Sequence, residues 1–75
     1  MNPKLIQTIS TILNVHTSQI TPELSQQNTP QWDSLTHLRL ILELEQNLGI
    51  RFRSQDIPAM TSVAAIEGIL RQSEV

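Results

Sequence analysis

The sequence predicts an all-α fold: a small four-helix bundle of three main helices plus one short helix, with a long first loop. Three observations predict it. Apolar residues recur at helical spacing in three segments, N-capping residue types stand just ahead of each, and the polar stretch between the first two has no periodicity. Seventy-five residues make a single domain, 1–75, with a modest core.

In the first segment Asn2 suits a cap and Pro3 a first helical turn. Leu5, Ile6, Ile9, Ile12 and Leu13 follow as one apolar stripe, with Gln7, Thr8 and Thr11 turned outward and the helix fading near Val15 or His16. From Thr17 to Gln31 the pattern dissolves into Ser, Thr, Gln, Asn and two prolines. A structureless connection is expected there, anchored to the core by Ile20 and Leu24. Trp32, the single tryptophan, reads as a partly buried anchor before the second helix.

Asp33 and Ser34 are N-capping types placed before the periodic positions Leu35, Leu38, Ile41, Leu42 and Leu48, and Gly49 is a natural stop. The second helix is therefore expected over Ser34–Leu48. Leu40, Ile41, Leu44 and Leu48 form its core side, while Leu35, Leu38 and Leu42 form a second stripe leading away from Ser34. Either this helix is almost wholly buried, or the second stripe is a hydrophobic docking surface. Beyond it, Ile50 and Phe52 are expected to point inward from a loop, with Phe52 as the main aromatic plug. Ser54-Gln55-Asp56-Ile57 makes one helical turn ended by Pro58. Thr61 or Ser62 caps the last helix, with Val63, Ile66, Ile69 and Leu70 inward and Gln72, Ser73 and Glu74 fraying.

Composition removes several functions. Seven acidic residues against five basic give a net charge of -2, which argues against a nucleic-acid binder. No cysteine is available for a disulfide or a thiolate metal site. No apolar run approaches the roughly 20 residues of a membrane helix, and Gln7, Thr8, Ser10 and Thr11 interrupt any signal-peptide core. A cytoplasmic location is expected. Met1 and the compact length suit a free-standing protein, with a domain excised from a larger synthase as the alternative.

Ser34, His37 and Asp33 are the residue types of a hydrolase triad, but three residues within one helical turn do not place a histidine between serine and acid. No glycine-rich turn offers an oxyanion site, so the chain is not expected to be an enzyme. His37 is expected on the helix surface, reaching back to Asp33 at i,i+4 spacing. His16 and His37 lack neighbours at zinc-ligand spacing, and Glu43 and Glu45 read as solvated surface. Judged locally, Asp33 and Ser34 are helix caps. The functional reading is a serine hydroxyl at a helix mouth, where the dipole favours an attached phosphate.

The run Trp32-Asp33-Ser34-Leu35, then Leu44-Glu45-Gln46-Asn47-Leu48-Gly49-Ile50, Phe52, Asp56-Ile57 and Met60-Thr61-Ser62-Val63, resembles the acyl carrier protein family, of which peptidyl carrier proteins are close relatives. The match covers nearly the whole chain; the Asp-Ser-Leu triplet alone is weak and its register with the rest is specific. The resemblance implies 4'-phosphopantetheine attached covalently to Ser34, holding acyl or aminoacyl thioesters for delivery between enzymes. It implies that Asp33 helps the phosphopantetheinyl transferase recognise the site and that Leu35 and Leu38 pack near the arm. Leu38, Arg39 and Leu42 would then lie on the surface met by acyl-loading, condensing or transferring enzymes. A monomer with no nucleic-acid or membrane partner is expected.

One departure matters. Thr36 and Arg39 stand where fatty-acid carriers usually have acidic residues, and residues 34–52 hold two arginines against two glutamates. A polyketide, nonribosomal-peptide or other specialised pathway therefore fits better than housekeeping fatty-acid synthesis. The competing reading from another class is an unmodified helical interaction module that binds a protein through Leu35, Leu38 and Leu42.

Overall fold

The computed structural model describes residues 2–73. It is all-α: helices α1 (Pro3–Leu13), α2 (Ser34–Leu48) and α3 (Val63–Ser73) enclose one core, joined by two longer connections that each contain a 3-10 turn. Among the described residues there is no strand, only an isolated antiparallel bridge between Ser25 and Ser62.

Helix α1 starts as its sequence dictates. Asn2 Oδ1 accepts the Lys4 N–H at 2.8 Å, and Pro3 occupies a first-turn position that has no use for an N–H. It stops at Leu13, short of the expected Val15 or His16, because Asn14 adopts the left-handed conformation (φ 57°) and its N–H returns to the Ser10 carbonyl. Asparagine tolerates that region better than most residues. Leu5, Ile9 and Leu13 face the core. Thr8 is buried too, and its hydroxyl accepts from Asn47 Nδ2 at 2.9 Å, tying α1 to α2.

The first connection is ordered rather than structureless. His16 caps a 3-10 turn, Thr17–Gln19, by accepting the Ser18 N–H on Nδ1 while its own N–H donates to Gln19 Oε1. Asn28 then organises a tight segment: its Oδ1 accepts the Ser25 N–H and its Nδ2 donates to the Glu23 carbonyl. The segment is also stitched to the start of α3. Val63 and Ala64 donate to the carbonyls of Leu24 and Pro22, and Gln26 donates to that of Thr61. With Ser62 Oγ accepting the Ala65 N–H, the loop satisfies amides that a helix start otherwise leaves open. Ile20 is buried and Leu24 packs against the core, as expected of the two anchors.

Between α2 and α3 the short helix takes another form. Residues Ser54 to Asp56 form a turn, and the helical hydrogen bonding is a 3-10 turn, Ile57–Ala59, that contains Pro58 instead of ending before it. Proline is tolerated there because a first-turn position requires no donor. The chief aromatic plug is Trp32, fully buried rather than partly so; Phe52 is also buried but lies nearer the surface. Ile50 packs against the core beside it. In α3, Val63 and Ile66 are buried, Ile69 and Leu70 are half-buried, and the helix continues through Gln72 and Ser73, where fraying was expected. Glu74 lies outside the described residues.

Candidate functional site

The site is the mouth of α2. Asp33 is its N-cap, with extended backbone (φ -92°, ψ -175°), and its carboxylate accepts the Thr36 N–H at 2.8 Å. That amide first, and then the Thr36 hydroxyl, hold the Asp33 carboxyl below its ordinary value. The anionic cap is thus at full strength above the ordinary carboxylate range and is lost as pH falls through the lowered value. Ser34 is the first residue of the helix, and its side chain is exposed.

Beyond Ser34 the helix divides by face. Leu40, Ile41 and Leu44 are buried, and Leu48 packs against the core. Leu35, Leu38 and Leu42 are 69%, 55% and 60% exposed, a row of large apolar side chains that begins beside the serine. Arg39 is exposed among them and belongs to neither of the ion pairs Arg53–Asp56 and Arg71–Glu67. The structure therefore brings Asp33, Ser34, Leu35, Leu38, Arg39 and Leu42 onto one end and one side of α2.

Two polar residues differ from their expected places. His37 is not on the surface beside Asp33 but only 7% exposed. Trp32 Nε1 donates to its Nδ1 at 3.0 Å, and its Nε2 lies 2.9 Å from the Ile57 carbonyl. An indole nitrogen can only donate, so Nδ1 is the acceptor and Nε2 carries the proton that bonds Ile57. The two rings lie 6.1 Å apart with planes 29° from parallel. Burial of Trp32 is what drew the histidine in, since a buried indole N–H requires an acceptor. That requirement, set against the nearest ring nitrogen in the chain, was the one sequence signal for this pair.

Glu45 is the second difference. It is half-buried, and its Oε2 accepts the Phe52 N–H at 2.9 Å. At the same end Gly49 takes a left-handed conformation (φ 66°), and its N–H and that of Ile50 both return to the Glu45 carbonyl. The turn that follows α2 is thus held by one residue through both backbone and side chain.

Among the described residues no group of three or more histidine, cysteine or carboxylate side chains could hold a metal, and no helix is long and apolar enough to cross a membrane. Compared with known proteins, the chain matches no family model and no curated protein.

Proposed function

We propose that this chain is a carrier protein of the acyl carrier type, modified on Ser34 and recognised through the exposed side of α2. The observation that carries the proposal is the conjunction of an exposed serine hydroxyl at a helix mouth with a row of exposed leucines starting at the next residue. A small packed domain has little reason to leave three large apolar side chains in water unless another surface covers them. The carrier-like four-helix arrangement belongs to the same proposal, with the 3-10 turn Ile57–Ala59 standing in for the short helix.

For 4'-phosphopantetheine the residues present are a fit. The Ser34 hydroxyl is accessible, the positive end of the α2 dipole favours the phosphodiester, and Asp33 holds the first turn rigid through Thr36. Attachment joins Ser34 Oγ to the β-phosphorus of coenzyme A. The adenosine bisphosphate half leaves, and the serine proton passes to a base on the transferase. Once bound, the arm supplies a terminal thiol that holds acyl or aminoacyl groups as thioesters. The chain's own work is to present Ser34, keep α2 straight and offer Leu35, Leu38 and Leu42 to acyl-loading, condensing or transferring enzymes. Arg39 in that row favours a specialised pathway over fatty-acid synthesis, because enzymes with a basic docking patch would meet like charge there.

The exposed leucine row equally favours an unmodified interaction module, and one experiment separates the two readings. Incubation with coenzyme A and a broad-specificity phosphopantetheinyl transferase should raise the intact mass by one phosphopantetheine. Ser34→Ala should abolish the gain and leave the helical circular dichroism unchanged. An unchanged mass with several transferases would remove the carrier reading and leave the interaction module.

A further inference from the structure

We infer that His37 is a proton-operated latch at the mouth of α2. In the closed state the ring bridges the end of the first connection and the second 3-10 turn, accepting from Trp32 on Nδ1 and donating from Nε2 to the Ile57 carbonyl. This closed state exists only for the neutral ring. Adding a proton to Nδ1 turns its lone pair into a donor that faces the indole N–H at 3.0 Å, so the bond becomes a donor–donor clash. A buried cation there also lacks water.

The protonated ring has somewhere else to go. Asp33 lies one turn earlier on α2, at the i,i+4 spacing that lets a carboxylate meet a histidinium on the helix surface. Its carboxylate is exposed and held by the Thr36 amide. From the facing 3-10 turn the nearest carboxylate is Asp56, the residue before Ile57, and it is already paired with Arg53 at 3.5 Å. Two charges on the other helices have their own surroundings. Lys4 of α1 lines a groove with Glu43 and Asn47 farther along α2, and Glu67 of α3 pairs with Arg71. Among the described residues Asp33 is the carboxylate one helical turn before His37, and it is the acceptor assigned to the outward-swung ring; the surface pairing expected from sequence becomes the acid state of a two-state side chain.

Ser34 sits between the latch residues Trp32 and His37, so opening changes the surroundings of the candidate modification site. In the open state the Trp32 N–H loses its acceptor and the Asp33 carboxylate divides itself between Thr36 and the histidinium. The inference does not rest on the carrier reading; it stands or falls even if Ser34 is never modified.

The single tryptophan makes the latch directly observable. Acidification over the range in which the helical circular dichroism stays constant should give one reversible red shift of Trp32 emission. His37→Gln, whose amide can accept from the indole and donate to the carbonyl, should abolish the transition; His16→Gln should retain it. Asp33→Asn should move it to lower pH, because the open state loses its partner. Nitrogen-15 spectra of histidine-labelled wild type should show the Nε2–H tautomer of His37 at neutral pH, a readout that depends on no variant folding. An Nδ1–H tautomer, a transition that survives His37→Gln, no transition at all, or loss of helix at the same midpoint would each overturn the latch.

Discussion

The two sides of α2 contain the same kind of residue with opposite fates. Leu40 and Leu44 are fully buried, whereas Leu38 and Leu42 are more than half exposed, although all four stand within two turns of one helix. Hydropathy does not distinguish them. The difference lies in what surrounds each side: α1 and the core residues Trp32, Met60, Val63 and Ile66 cover one, and no described element covers the other. The inward leucines are therefore a stability feature, and the outward ones are available for recognition.

The strongest way to break that contrast is Leu44→Ala. The side chain is fully buried, so its removal costs transfer free energy plus a cavity, about 2–5 kcal/mol. That is a large share of the stability of so short a domain. Urea unfolding should show it as a lower midpoint with an unchanged slope; an unchanged midpoint would mean the face is not packed as described.

Arg39→Glu sharpens the outer half of the comparison without touching the inner half. Stability should hold, while association of phosphopantetheine-loaded protein with enzymes that carry a basic docking patch should quicken several-fold at low salt, and less at high salt because exposed charges are screened. If wild type already associates with them rapidly and the variant gains nothing, the specialised-pathway inference fails.

The smallest effect is the most discriminating. Leu42→Ala should shift unfolding by no more than about 0.5 kcal/mol, as is usual for exposed positions. A loss comparable to that of Leu44→Ala would show that the outer side is covered in solution and would invalidate the docking surface.

What the sequence made legible follows the range of the forces involved. The bounds of α2, and the cap of α3 to within Thr61 or Ser62, were readable because the bonds are local: Asp33 and Ser62 accept amides three residues on, and Gly49 donates to a carbonyl four residues back. Helical spacing separated the leucines of α2 into two stripes but left open whether the second was buried, because that depends on what other elements cover it. His37 was not placed, because the burial of Trp32 that calls for its Nδ1 is a tertiary property and its second partner is a carbonyl twenty residues away, which carries no side-chain signature. Glu45 was misread for the same reason, since its partner is the Phe52 amide. The order in the first connection rests on backbone bonds to α3 and on the side chains of His16, Gln19 and Asn28, which resemble any other loop residues until their partners are known.

The loop that caps α3 also contributes to the stability of that helix. Its opening amides find their acceptors on Pro22 and Leu24, far upstream, and the helix is only 11 residues long. A helix of that length is marginal in water by itself. Closing the intervening stretch of chain costs entropy before the contact returns any stability. The last helix therefore draws part of its stability from the first connection, which accepts its first two amides. A cut in that connection, far from α3 in sequence, should leave Ser62 as the local cap and remove the acceptors of Val63 and Ala64, loosening the start of the helix.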